Sequence, residues 1–494
     1  MIDLILAGGT VVTMDKKRRV LTDASVAVDC GKILYVGASG DVRNRYEAKR
    51  TLDCADHVVL PGFVDAHGHG GHSFFRFAVK DTRYWMPAMT HTYFHYIDDD
   101  FWYYEGRVSA LERLRGGITT GVCVLGSQPR CDSPVFAQYN AKAYAEVGVR
   151  DIVCTGPCHP PWPHNFSRWS GCTRTVREVS FREVTDSLET VIKTLNGTNG
   201  GKTFAFVTPF TVVTSVNPSG VTPKEKLTAL TEHDKFQAKE MRRIAREYGT
   251  RIHSDCFGGM PELLKEDMSC ALVGPDVHLQ HCTRLSEDEV KILADSGTSA
   301  GVCPTSGAPV DLMLDANINM ALTTDGTKLY PGFDIFGCMR QFQQNCRSAC
   351  GDPSLIPDAK ALEMVTVDAA RALGLQNLVG SIEPGKQADL ITVDMLTPKL
   401  TPCFNLLHAL VQNASGADID NVVIAGDVLM HNRKTNSDEK EILLSAQREA
   451  GKVIERSGIR AMAHMDEAFW GKARKPEMPE PFDIEWQRRD GGHY

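Results

Sequence analysis

Pro61-Gly62-Phe63-Val64-Asp65-Ala66-His67-Gly68-His69 follows directly on the apolar run Val58-Val59-Leu60, and its reading decides the fold. An extended strand sends alternate side chains to opposite sides, so His67 and His69 point the same way. Two imidazoles can then reach one cation from a single strand end, and imidazole is a common ligand for first-row metals. A His-x-His pair alone says little; its weight comes from three later segments. Thr250-Arg251-Ile252-His253-Ser254-Asp255, Asp276-Val277-His278-Leu279-Gln280-His281-Cys282 and Asn319-Met320-Ala321-Leu322-Thr323-Thr324-Asp325-Gly326 each read as a buried strand that ends in a polar residue.

In a (β/α)8 barrel the C-terminal ends of the strands converge on one face, where active sites sit. The chain order His-x-His, His, His, Asp suits that face. His67, His69, His253 and Asp325 would offer three nitrogen ligands and one oxygen ligand, with room left for water, as a catalytic metal site requires. Strand candidates at 119–126, 150–156, 203–209, 251–256, 277–282, 298–303 and 319–325 join one at 57–67 to make the eight that a closed barrel needs. Helix patterns fall between and after them, at 99–116, 134–147, 181–195, 224–248, 286–296, 336–350 and 358–373. Residues 1–56 instead alternate short apolar runs with Gly and Asp turns, the mark of short antiparallel strands, and this pattern returns at 389–393 and 422–430.

Several further segments give the chain a family likeness: Leu114-Arg115-Gly116-Gly117-Ile118-Thr119-Thr120, His281-Cys282-Thr283-Arg284-Leu285-Ser286, Cys303-Pro304-Thr305-Ser306, Ala369-Ala370-Arg371-Ala372-Leu373-Gly374 and Gly380–Leu390. With the Pro61–His69 stretch they resemble the amidohydrolase superfamily, in the branch that holds adenosine-type, guanine and cytosine deaminases and the triazine hydrolases. The resemblance runs from Leu4 to about Asn432. It implies an α/β architecture, a (β/α)8 TIM barrel with a small β-sandwich built from both ends of the chain. The expected units are 1–56 (first part of the sandwich), 57–375 (metal-dependent barrel), 376–435 (second part of the sandwich) and 436–494 (C-terminal helical extension).

The resemblance also implies roles. Asp325 would both touch the metal and take a proton from water, and His281 would contact that water or the substrate without being a main ligand. Two-metal relatives place a lysine or a glutamate at the end of the fourth strand. Here Thr203-Phe204-Ala205-Phe206-Val207-Thr208-Pro209-Phe210 carries neither, so one divalent ion is expected, zinc first and ferrous iron as the alternative. Deaminases of this branch have Glu three residues after the fifth-strand histidine, where this chain has Cys256. Asp255, its neighbour, points to the opposite side of a regular strand. Arg284, Phe210 and Gly307 stand where relatives have His, His and Asn. These departures favour an amide, urea or carbamate of a small cyclic or aromatic compound, cleaved at a non-peptide C–N bond. Removal of an amine or halide from a nitrogen heteroaromatic ring is the alternative.

For the pocket, His72, Phe74, Trp85 and His95 fall on the connection before the first helix, and His95 stands near a position that binds ribose in nucleoside-using relatives. Gly156–Cys172, rich in proline and carrying Trp162 and Trp169, reads as a lid or pocket wall. Arg284 suits a carboxylate or carbonyl. Cys256 and Trp162 complete the expected substrate-contacting set. A net charge of −8 without a basic stripe argues against nucleic acid. Apolar runs stay short of membrane-spanning length. Scattered cysteines within apolar strands, Cys123, Cys154, Cys282 and Cys303 among them, read as reduced thiols of a cytoplasmic protein. The partners expected are a small-molecule substrate and, from the resemblance, further copies of the chain. A non-catalytic scaffold would have lost metal ligands, and this chain keeps all four.

Overall fold

The strand expected at 57–67 is two strands in two sheets. His57–Pro61 pairs antiparallel with Leu390–Asp394, from Leu390 opposite Pro61 to Asp394 opposite His57. Phe63–Asp65 instead pairs parallel with Ile118–Leu125. Gly62 makes the crossing, where a Cβ would lie 2.2 Å from the Thr119 side chain, so only glycine fits between the sheets. The computed structural model from which this is drawn describes residues 1–76, 78, 82–214, 229–326 and 332–459.

Eight parallel strands follow one another in chain order among the described residues: Phe63–Asp65, Ile118–Leu125, Arg150–Thr155, Thr203–Val207, Ile252–Phe257, Val277–Thr283, Ser299–Val302 and Met320–Leu322. They are called here the first to the eighth barrel strand. The ring closes beyond the strand ends, where Gly68 bridges Asp325 and the Asp325 N–H donates to the His67 carbonyl at 3.0 Å. Ile118–Leu125 is buried along its whole length, as a strand covered on both faces must be. Val64, Val122, Ile152, Phe206 and Ala321 fill the barrel interior and meet Ala369, Ala370 and Leu373, which plug its lower end. Outward-facing Val153, Val207, Leu279, Val302 and Leu322 join the core beneath the helices.

The helices begin where side-chain caps allow. Ser180 with Glu183, Thr231 with Asp234 and Ser286 with Glu289 form capping boxes at the starts of Phe181–Leu195, Glu232–Glu247 and Glu287–Ser296. The helix expected from 224 begins at Glu232, and residues 224–228 lie outside the described residues. The helix expected at 358–373 is broken into Asp358–Met364 and Val367–Ala372, and the Val365 carbonyl at the break accepts from Val64 N at 2.9 Å. The connection expected before the first helix contains a helix of its own, Thr82–His95, with Pro87 inside it. The segment Gly156–Cys172, expected as a lid or pocket wall, supplies one strand of a hairpin, His164–Ser170 with Thr173–Val179.

Among the described residues, the segments before and after the barrel meet in one nine-stranded sheet beside it, in which Ile2–Val12 pairs with His57–Pro61 and Leu390–Asp394 carries on to Ile419–Ile424. Leu4, Leu6, Val26, Ile33, Leu390 and Val423 give that sheet its own core. The helix Glu439–Ser457 lies against Phe101–Arg115, tied by Arg107–Glu441 and Arg115–Glu439 ion pairs. Residues 460–494 of the expected extension lie outside the described residues. Among the described residues, no helix is long and apolar enough to cross a membrane.

Candidate active site

His67 and His69 leave the first barrel strand side by side, and Asp325 reaches them from beyond the eighth. His67 Nε2 and His69 Nε2 are 3.2 Å apart, and Asp325 Oδ1 lies 3.4 Å from the first and 3.2 Å from the second. Four ligands held tetrahedrally at zinc-like bond lengths stand about 3.4 Å from one another. The three atoms therefore already have the spacing of three corners of such a site. Their chemistry agrees, because all three can offer lone pairs inward. His69 Nδ1 donates to the Gly126 carbonyl at 2.6 Å, which fixes its tautomer and turns the Nε2 lone pair toward the cluster.

His253 joins the cluster from another side. Its Nε2 lies 2.7 Å from His67 Nδ1, and its Nδ1 lies 2.9 Å from His278 Nδ1. His253 thus contacts the far nitrogen of His67, whereas His67, His69 and Asp325 gather their donor atoms within 4.8 Å of one another. Two further triads share the same space at that limit, His67 with Asp255 and His281, and His281 with Cys303 and Asp325.

Alternation along the fifth strand explains Asp255. His253 and Asp255 face the barrel axis, while Ser254 turns its Oγ to the Pro209 carbonyl and Cys256 enters the apolar core beneath the helices. Asp255 Oδ2 faces His281 Nε2 at 3.6 Å. The expectation that Cys256 contacts substrate is therefore corrected. Its thiol has no exposed surface, and burial raises its pKa well above the ordinary thiol value. A thiol so placed lies on the wrong side of the strand for the pocket.

The sixth strand departs from alternation. His278 and Gln280 point inward, and His281 should then point outward. Instead, left-handed φ values of 71° at His281 and 49° at Cys282 turn the His281 ring toward the cluster, stacked on Phe257 with centroids 5.3 Å apart. Asp325 also has a positive φ, 57°. Such backbone is rare for residues with a Cβ and costs about 1–3 kcal/mol unless its surroundings hold it. At Asp325 those surroundings are visible. Asp65 accepts from Thr324 N at 3.0 Å and from Thr324 Oγ1 at 2.7 Å, and Arg113 holds Asp65 in turn at 3.1 Å.

The charge states follow from these contacts. Burial alone would raise the Asp325 pKa, but its close contacts with His67 and His69 and the charge of His281 hold it well below the ordinary carboxylate value. Burial keeps His67 and His253 below the ordinary imidazole value and takes His278 down to about 3. Burial also opposes the charge on His281, but the Asp255 carboxylate outweighs it and lifts that pKa well above the ordinary value. At neutral pH His67, His253 and His278 are therefore neutral, Asp325 is anionic and His281 is protonated.

The remaining expected residues lie around this core. His72 stacks on His69 with centroids 4.4 Å apart, and the buried Trp85 packs edge-on behind His72. Phe74 is half-buried against Phe101. His95 sits at the end of its helix, where its Nδ1 meets Ser167 Oγ at 3.1 Å, and Trp162 packs on His164 and Phe181. These last two belong to the hairpin layer rather than to the cluster. Arg284 is exposed, and its backbone N–H donates to the Gly307 carbonyl. Cys303, read from the sequence only as a buried thiol, lies with its Sγ 3.7 Å from Asp325 Oδ2 and 3.9 Å from His281 Nδ1. Its place directly after the seventh barrel strand was the available signal.

A family model described as Amidohydrolase family matches residues 58–429. The 5-methylthioadenosine/S-adenosylhomocysteine deaminase of Desulforudis audaxviator is 29% identical over 444 residues, spanning 87% of this chain and 95% of that protein. Among solved structures, a zinc-bound adenosine deaminase from Xanthomonas campestris superimposes with a TM-score of 0.76 at 23% identity, covering 92% of this chain and 99% of its own. Atrazine chlorohydrolase from Arthrobacter aurescens, complexed with zinc, gives 0.74 at 20% identity and covers 90% of this chain and all of its own. At these identities the two structural likenesses speak for the fold.

Proposed function

The chain belongs to the amidohydrolase family, as a hydrolase of carbon–nitrogen bonds other than peptide bonds, and from that premise we propose that it removes an amino group from a small nitrogen heteroaromatic ring. The observation that carries this reading is Asp255 Oδ2 facing His281 Nε2 beside the His67, His69 and Asp325 cluster. Ring deamination needs a carboxylate to move a proton to the ring and the leaving amine. Asp255 offers one, although Cys256 occupies the position at which relatives carry it. The deaminases among its sequence relatives, whose names give adenosine-type substrates, support the same substrate class.

The metal proposed is a single zinc, held by His67, His69 and Asp325, with His253, whose Nε2 lies 2.7 Å from the His67 ring, turned toward them as the fourth ligand when the ion is bound. Zinc bound there supplies a Lewis acid that brings the pKa of water toward neutrality. In the proposed reaction, the water oxygen bonds to the ring carbon that bears the amino group, and Asp325 takes the proton released. The Asp255–His281 pair holds one proton between Oδ2 and Nε2 and delivers it to the adjacent ring nitrogen. The C–N bond then breaks as the hydroxyl formed from water returns its proton to the Asp255–His281 pair and becomes the carbonyl, and ammonia leaves with the proton that Asp325 had taken. The products are ammonia and a ring carbonyl compound, which balances one water against one amine.

A second reading, hydrolysis of an amide, urea or carbamate, draws on Phe210. This buried apolar ring stands where relatives carry a histidine, and it favours a substrate that needs less help at ring nitrogens. A panel of aminated purines, pyrimidines and triazines, set against cyclic amides and ureas, separates the two. Ammonia released from ring amines with no turnover of the amides is the expected result, and the reverse pattern would sink the first reading. Asp325→Asn removes the proton acceptor while keeping the shape. Turnover should fall by about 10³-fold with the circular dichroism spectrum unchanged, and substantial remaining turnover would assign the proton to another residue.

A further inference from the structure

One side of the barrel interior is built differently from the other. Val64, Val122, Ile152 and Phe206 line it from the first four strands. The sixth, seventh and the run beyond the eighth bring His278, Gln280, Gly301 and Thr323 instead. His278 and Gln280 are almost wholly buried, and burying polar groups there costs stability unless they are used.

The contacts run in one direction. His278 stands in register with His253, and their Nδ1 atoms are 2.9 Å apart. Only one proton can lie between two Nδ1 atoms. If His253 is to keep its Nε2 lone pair for the proposed metal, its Nδ1 must carry that proton and His278 Nδ1 must accept it. His278 then carries its own proton on Nε2. That atom and Gln280 Oε1 are buried and have no other partner among the described residues. Both face the space over Gly301, where a Cβ would meet Gln280 Oε1 at 2.0 Å and His278 Nε2 at 2.7 Å. Gln280 Nε2 donates to Thr323 Oγ1 at 2.9 Å, which fixes the amide so that its oxygen is left for that space. A donor on His278 and an acceptor on Gln280 thus meet the same gap, which only glycine at 301 leaves open.

We propose that His278 is a positioning residue for the metal centre, fixing the tautomer and ring angle of His253 so that its Nε2 is presented to the ion. The inference rests on the metal-site reading above. Ligating histidines are usually held through their second nitrogen, and loss of that hold costs about 10–100-fold in metal affinity.

The test measures metal binding rather than turnover. Metal-free protein is titrated with zinc against a chromophoric chelator, and with cobalt(II) followed by its visible absorption. Wild type, His278→Phe, which keeps bulk but cannot accept a hydrogen bond, and His278→Gln, whose amide oxygen can, are compared. His278→Phe should bind zinc at least about 10-fold more weakly and shift the cobalt bands, while His278→Gln recovers most of the affinity. Equal zinc affinity in wild type and His278→Phe overturns the proposal. If His278→Phe does not fold, His278→Leu takes its place, and the proposal then stands on the accepting side chain binding zinc more tightly than the non-accepting one. Failure of wild type itself to bind either ion would overturn the metal-site reading instead, which keeps the two failures apart.

Discussion

Two clusters of buried ionisable groups lie on opposite faces of the same barrel wall. On the outer face, under the helices Phe101–Arg115 and Val135–Val147, Arg113 donates to Asp65 and to the Val122 carbonyl, and Asn140 donates to Asp151 at 3.0 Å. On the inner face stand His67, His69, His253, Asp255, His281 and Asp325. Outside, each charge meets its opposite or a donor, and Arg113 also lies over the Phe333 ring. Inside, donor atoms of His67, His69 and Asp325 converge within 4.8 Å of one another, with the Asp255 carboxylate in the same space. The outer charges are met by neighbours, and the inner cluster asks for a cation. Burial and charge alone therefore do not mark a catalytic site; the balance of donors and acceptors does.

The sharpest form of this contrast is a single peptide bond. Asp255 and Cys256 are neighbours on the fifth strand and face opposite sides of the wall. Asp255→Asn keeps the size and removes the charge that faces His281. The expected loss in kcat/KM is about 10²–10³-fold, with little change in melting temperature. Cys256→Ala should do the converse, leaving kcat/KM within about threefold and costing about 1 kcal/mol of stability, the common size for a core truncation. Rates and melting curves of the two variants measured side by side decide it. A large rate loss in Cys256→Ala with little in Asp255→Asn would invert the two faces and undo the proposed proton path.

Alternation was legible in the sequence wherever the backbone stays regular. His253 and Asp255 stand two positions apart on the strand, and the structure has both on the axis side. Counting positions by family likeness pointed to Cys256, and the geometry of the strand outweighs the count. His281 was placed near the site by likeness, yet strand geometry alone would have sent it outward. The left-handed turn at His281 and Cys282 is written in no residue type, because neither is glycine. The split at Gly62 was equally hidden, since Val58–Val64 reads as one apolar run and the reason for the glycine is Thr119, far away in sequence. Pro87 masked the helix Thr82–His95, because a proline inside a pattern reads as a break. Barrel strands such as Arg150–Thr155 and Met320–Leu322 were legible because strands buried on both faces carry apolar runs with helices between them.

The outer cluster offers the gentlest test, through Asp151. Burial pushes its carboxyl up to about 7 in the folded chain, against an ordinary value near 3.8. A group whose pKa is raised by folding adds stability that is complete below its unfolded value and is lost as pH rises through its folded value. Between about pH 4 and pH 7 the unfolded chain has released this proton while the folded chain still holds it, so stability falls across that window. Above about pH 7 the folded chain carries a buried carboxylate, which Arg113 offsets only in part. Asp151→Asn cannot ionise and keeps a side chain that can bond Asn140. Its melting temperature, relative to wild type, should therefore climb from near equality at pH 5 to a gain of a few degrees at pH 8, with kcat/KM unchanged at both. A difference in melting temperature that stays flat over this range would mean that Asp151 is ionised throughout, with Arg113 as its full partner. The outer face would then be as charged as the inner one, and the balance of donors would no longer separate them.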